Sequence, residues 1–138
     1  RLDGDDGSDT VSFGASSGNF TLSGTTLASV LTNSEYLDFS GTTGTASVSL
    51  GGSDIQKILT GSSSLSNNAG VLDVKLETYD SFTIAASSGY SYWTAASGGT
   101  QISAGTSYNA SSMTTSGAHV YVFDTNHATL LADVLYHI

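Results

Sequence analysis

His119–Ile138 reads HVYVFDTNHATLLADVLYHI. Two apolar runs flank Asp124-Thr125-Asn126-His127, a string of residues that favour turns. Val120 and Val122 oppose Tyr121 and Phe123 in the first run, and Leu130 and Val134 oppose Leu131 and Leu135 in the second. A strand that is apolar on both faces lies in the middle of a sheet or under a partner. This stretch is therefore the strongest hairpin candidate in the chain, with both strands central or covered by a partner.

Working toward the N-terminus, the same alternation recurs in shorter pieces. Val71–Glu77 (VLDVKLE) places Leu72, Val74 and Leu76 on one face and Asp73, Lys75 and Glu77 on the other, the cleanest strand pattern present. Further strands are read in Tyr36–Gly41 (YLDFSG), Thr45–Leu50 (TASVSL), Ser81–Ile84 (SFTI) and Tyr90–Thr94 (YSYWT), and near Thr10–Phe13 and Phe20–Leu22. Ala95–Ser116 is weakly patterned, with a strand near Thr106–Tyr108. Two helical pieces interrupt the series. Leu27, Val30 and Leu31 suit a single turn, and Ser53 and Asp54 can cap a short helix carrying Ile55, Ile58 and Leu59, which Gly61 ends. Gly61–Gly70 is a loop by composition. Strands at this spacing, separated by turn signals, point to an all-β fold: an antiparallel β-sandwich-like domain with one or two short helical turns. No sequence repeat of solenoid length is evident. The chain reads as one β-rich domain over 1–138, with a turn and first strand in 1–13 and a C-terminal sheet region in 70–138.

The composition agrees. Apolar residues make up 38 % and charged residues only 11 % of 138 residues, and the polarity comes mostly from Ser, Thr and Gly. With no Cys there is no disulfide framework, thiolate zinc site or thiol nucleophile. The net charge is −9, with Arg1, Lys57 and Lys75 the only Lys or Arg. Such a surface repels nucleic acid and anionic lipid and attracts divalent cations. No apolar run approaches the roughly 20 residues that span a bilayer, so membrane insertion is not expected. No basic and apolar leader is found, which fits a mature product, an excised domain, or cargo of a route that reads no N-terminal signal.

The carboxylates concentrate at the start. Gly4–Ser12 reads GDDGSDTVS. The calcium-binding nonapeptide of RTX proteins is G-G-x-G-x-D-x-U-x, with U large and apolar. Gly4, Gly7, Asp9 and Val11 match it, and Asp5 stands at the second glycine. Ca²⁺ takes six to eight oxygens at about 2.3–2.6 Å, from carboxylates and backbone carbonyls. Glycines let the backbone turn tightly and aim carbonyls inward. In a β-roll each ion sits between two successive turns, so one turn offers half a site. The rest must come from Asp3, Asp5 or Asp6, from another loop, or from a neighbouring molecule.

Asp3–Phe13, Leu31–Leu59, Val71–Ile84, Tyr90–Trp93 and His119–Ile138, in that order, resemble the C-terminal region of large RTX-type, type I-secreted bacterial surface proteins and biofilm adhesins. The resemblance rests on the acidic turn, on "NSEYLDFSG" at 33–41 with the Ser-Asp helix that follows, on the strand ending in "SFTI", on a Trp-containing strand and on the Tyr-rich hairpin with "ATLLAD". Where that pattern has an acidic G-D-A-G-D, this chain has ETYD at 77–80, and Asp80 keeps the acidic place. The resemblance implies a secreted, extracellular, calcium-dependent structural module. Its carboxylates would repel one another where calcium is scarce and close on the ion after export, so that binding free energy becomes folding free energy. It also implies partners of like kind. Another copy, or another surface protein, would complete the half-formed turn, or would exchange a strand with the apolar hairpin, building a filament, surface layer or matrix.

Other candidates are weaker. Asp38 is a candidate calcium ligand or a turn stabiliser. Glu35 and Asp38, three apart on a strand, face opposite ways and do not form a catalytic pair. His119, His127 and His137 have no metal-motif spacing, although His119 can pair across to the last strand. No G-x-S-x-G elbow occurs, and no catalytic constellation is found. Tyr90 and Tyr92 share one strand face and Trp93 takes the other. Either set could offer a platform to polysaccharide, which gives an alternative reading as a carbohydrate-binding module.

Overall fold

In the computed structural model, residues 2–14 and 18–138 are described. Arg1, the first residue of the 1–13 unit, lies outside them. The chain makes three passes through the same places. The first is β1 (Leu2–Asp3), β2 (Thr10–Ser12), β3 (Phe20–Ser23) and helix α1 (Gly24–Val30). The second is β4 (Leu31–Thr32), β5 (Tyr36–Asp38), β6 (Ala46–Leu50) and helix α2 (Gly52–Thr60). The third is β7 (Val71–Lys75) and β8 (Ser81–Ile84). Each strand lies parallel on its counterpart: β4 on β1 with Leu31 opposite Leu2, β5 on β2 with Leu37 opposite Val11, and β6 on β3 with Val48 opposite Leu22. The third pass continues both sheets, with Val74 opposite Leu37 and Phe82 opposite Val48. The helices α1 and α2 pack side by side.

The last third of the chain extends these sheets with strands of both directions: β13 joins β7 in parallel, and the pairings beyond it are antiparallel. It comprises β9 (Tyr90–Trp93), β10 (Gln101–Ile102), β11 (Ser107–Asn109), a 3₁₀ turn (Ala110–Ser112), β12 (Ala118–Asp124) and β13 (Leu130–His137). The larger sheet runs β10-β9-β12-β13-β7-β5-β2, the smaller β11-β8-β6-β3, and β1 pairs with β4. The chain is thus mostly β, with two short α-helices. Side chains of both large sheets meet in one core, where Phe82 of the smaller sheet lies 5.6 Å from Tyr136 of the larger.

Strand direction departs from the antiparallel expectation. The pairs β1–β4, β2–β5, β5–β7, β7–β13, β3–β6 and β6–β8 are parallel, whereas β12–β13, β9–β12, β9–β10 and β8–β11 are antiparallel. The reason lies in the connections. A parallel return needs a long crossover, often a helix, and α1 and α2 occupy the links from β3 to β4 and from β6 to β7. The repeat is also real, although it is hidden in the sequence. Val11, Leu37 and Val74 stack in one column and Leu22, Val48 and Phe82 in another, and the Phe13 and Phe39 rings stack at 4.3 Å. The spacing between equivalents changes from pass to pass, because the loops differ in length.

The hairpin forms as read, with Val120 opposite Val134 and a register slip between Val122 and Phe123 that leaves both buried. Each hairpin strand already has two partners, β9 and β13 for β12, and β12 and β7 for β13. The sheet edges lie elsewhere, at β10, β2, β11 and β3. Among the described residues, β2 and β3 each have a strand partner on one side only, at one end of their sheets. Helix α2 starts from Gly51, whose N–H donates to the Asp54 carboxylate at 3.2 Å, and ends at Gly61 in the left-handed region (φ 81°).

Candidate functional site: the acidic turn

The acidic turn joins β1 to β2 and is held by the start of the second pass. The Gly4 N–H donates to the Thr32 carbonyl at 3.1 Å. Asp3 Oδ1 accepts from the Asn33 amide at 2.7 Å and from the Asp5 N–H at 3.2 Å. Asp5 adopts a left-handed conformation (φ 57°), as does Asn33 (φ 49°). These short polar residues tolerate that region better than most, so Asp5 can hold a backbone conformation that glycine adopts most readily.

Asp9 closes the turn. Its N–H donates to Glu35 Oε2 at 2.8 Å, and its carbonyl accepts from the N–H groups of Glu35 (3.1 Å) and Tyr36 (3.0 Å). Asp9 Oδ2 is buried and has no hydrogen-bond partner among the described residues. A buried carboxylate oxygen without a donor costs free energy comparable to a lost charged hydrogen bond. Gly4 lies directly against it. A Cβ at Gly4 would sit 2.7 Å from Asp9 Cβ and Cγ and 2.0 Å from the Asn33 carbonyl oxygen. Asp5 and Asp6 are exposed and, with Asn33, border an open concavity of about 440 Å³. A second, of about 360 Å³, is bordered by Asp3, Gly4, Asp9 and Ser34. Among the described residues, no group of three or more His, Cys, Asp or Glu side chains is placed to hold a metal ion. The orphaned Asp9 oxygen suits a cation, but a full calcium sphere needs oxygens beyond those gathered here.

Asp38 stands apart from this turn. Ser12 pairs with Asp38 and Thr10 with Tyr36, so Asp38 lies at the far end of β2 from Asp9, roughly 10 Å along the strand. Its carboxylate accepts from the Ser40 hydroxyl (2.6 Å) and the Ser40 N–H (2.8 Å), stabilising the turn after β5. Partial burial acts to raise its pKa, but the Ser40 hydrogen bonds, with Lys75 and His137 nearby, win and hold the carboxyl below its ordinary value. Glu35 is the residue that sequence reasoning left out of the turn. The signal was its place, because Asp9 and Glu35 each immediately precede paired strand residues, Thr10 and Tyr36.

The aromatic candidates are tied into the fold. Tyr92 is 3 % exposed, accepts from the Gly52 N–H at 2.8 Å and donates to the Ala85 carbonyl at 2.8 Å. Tyr90 donates to Gln56 Oε1. Trp93 takes the opposite strand face, stacks on the His127 ring at 3.6 Å and donates from Nε1 to the Ser91 hydroxyl. His119 pairs with Asp133 at 2.8 Å across the hairpin, and His137 with Asp73 at 2.6 Å. Comparison with known families, with curated proteins and with solved structures finds no match to this chain.

Proposed function

We propose that the chain is a secreted, calcium-binding structural or adhesive module of a bacterial surface or matrix assembly, in which Ca²⁺ at the Asp3–Asp9 turn locks the first pass onto the second. The observation that carries this reading is Asp9 Oδ2, buried without a donor at the junction of two passes. The carboxylates of Asp3, Asp5 and Asp6 on the same turn, and a net charge of −9, supply the electrostatic attraction for a divalent ion. The parallel stacking of short strands is the architecture in which an ion held between passes couples directly to folding. Self-association belongs to the same reading. A further parallel pass from another copy would pair with the outer edges of β2 and β3 and bring more oxygens to the turn.

The test compares thermal unfolding and solution mass in Ca²⁺ and in chelator, for the parent chain and for Asp9→Asn. Saturating Ca²⁺ should raise the midpoint, corresponding to about 2.7 kcal/mol at a hundredfold excess over Kd. Asp9→Asn should lose most of that gain. A parent chain whose midpoint and mass both ignore calcium would sink the reading. The alternative, a glycan platform on Tyr90, Tyr92 and Trp93, has less support, because both phenols are engaged in internal hydrogen bonds and the indole is stacked on His127.

A further inference from the structure

A groove of about 470 Å³ opens far from the acidic turn, where β11 and the 3₁₀ turn meet the start of β12 and the end of β13. Its volume falls within the range of about 300–1,000 Å³ typical of small-molecule sites. Two properties suit it to an uncharged ligand. In a chain of net charge −9, no Asp, Glu, Lys, Arg or His lines it. It also combines rings with small polar groups. Tyr108 and Tyr136 stack at 4.7 Å, and Phe82 supports both from the core at 6.2 and 5.6 Å. The rings are thus held in place before any ligand arrives, and little side-chain freedom remains to be lost. At the rim, the Asn109 amide and the Ser112 hydroxyl make no hydrogen bond to other described residues, and the 3₁₀ turn forms without a cap from the Asn109 side chain.

We propose that this groove binds a neutral pyranose, free or at the end of a glycan, with the sugar's C–H face on Tyr108 and its hydroxyls on Asn109 and Ser112. The chemistry matches on each count. A pyranose presents an apolar face and a ring of hydroxyls, and a primary amide offers both a donor and an acceptor to such hydroxyls. A charged ligand would find no counter-charge here. Burial pushes the Tyr108 and Tyr136 phenols above their ordinary values, so both remain protonated at neutral pH. A strand-adding peptide is less suited. The free edge of β11 is three residues long and turns at once into the 3₁₀ segment, leaving few backbone groups in line. The site is independent of calcium and of the Tyr90–Trp93 strand.

The experiment is an amide-resolved NMR titration of the full chain with the methyl glycosides of glucose, galactose, mannose and N-acetylglucosamine. At least one should give saturable shifts at millimolar concentration, centred on Tyr108, Asn109, Ser112 and Thr114. Asn109→Ala should weaken binding about tenfold or more with the rest of the spectrum unchanged. Tyr108→Phe should keep binding, because it keeps the ring, and Tyr108→Leu should lose it. The proposal is overturned if no glycoside perturbs these amides, if Asn109→Ala binds as the parent does, or if a short neutral peptide shifts them and no glycoside does.

Discussion

Replacing Gly4 by alanine would place a methyl carbon 2.0 Å from the Asn33 carbonyl oxygen and 2.7 Å from the Asp9 side chain. Both neighbours are held: the first is itself backbone, and the second stands on the Asp9 backbone, which makes three hydrogen bonds with Glu35 and Tyr36. The first pass must therefore lift off the second, and urea unfolding should show a loss of about 1–3 kcal/mol. Gly14→Ala, whose Cβ would meet nothing within 4 Å among the described residues, is the control and should stay within about 0.5 kcal/mol. Asp38 gives a pH-dependent case. Its folded pKa lies below the ordinary value, so its contribution is present above the carboxylate range and is lost as pH falls through the lowered folded value. Asp38→Asn should accordingly be less stable than the parent at neutral pH. The gap in melting temperature should close in acid, and a gap that is constant with pH would contradict this account. The glycine and acidic pattern of the turn was legible in the sequence. That Asp9 is left with a buried, unpartnered oxygen was not, because it depends on residues 33–36 of the next pass lying against it.

At the scale of elements, helix α2 depends on one buried polar side chain that no pattern announced. Gln56 is 1 % exposed. Its amide donates to the carbonyls of Ser64, Asn67 and Leu131, and its carbonyl accepts from the Ser64 N–H and the Tyr90 hydroxyl. It thereby fastens the polar loop 61–70 to the helix and to β13. Gln56→Leu should cost at least about 2 kcal/mol, since several buried partners lose their hydrogen bonds together. Hydrogen exchange should rise selectively at Ser64 and its neighbours, whereas uniform exchange across the chain would argue against a local fastening role. The apolar stripe of Ile55, Ile58 and Leu59 and the stop at Gly61 were readable from helical spacing. Gln56 was not, because a glutamine in a helix is ordinarily a surface residue and only the loop folded over it makes it an interior one.

Across the whole molecule, buried and half-buried phenols tie the C-terminal strands to helix α2 and to one another. Burial pushes the Tyr92 phenol from 10.0 up to about 12, and those of Tyr90, Tyr108 and Tyr136 are raised by the same cause. A folded pKa above the unfolded one means that this stability is intact below about 10 and is lost as pH rises toward about 12. The melting temperature should therefore drop steeply over that interval. Tyr92→Phe leaves the Gly52 N–H and the Ala85 carbonyl without their partner and should cost about 1–3 kcal/mol at neutral pH. Its deficit should narrow as pH rises, because the variant has one fewer group to titrate, and a deficit that widens in alkali would refute the assignment.

By itself the amino-acid order determined most of the longer strands, the faces they bury and where two helices interrupt them, but not the two-residue strands β1, β4 and β10, and Leu31, read as part of the first helical turn, opens β4. Alternation and helical spacing are properties of a few adjacent residues, so Ala46, Val48 and Leu50, or Leu72, Val74 and Leu76, declare their inward face with no knowledge of a partner. The tertiary structure decided which strand lies beside which, and in what direction. Val11 over Leu37 over Val74 is a column assembled from three distant segments, with loops of unequal length between them. Side-chain period carries no information about strand direction. The choice falls to the crossovers through α1 and α2 and to the shared core that the three passes fill together.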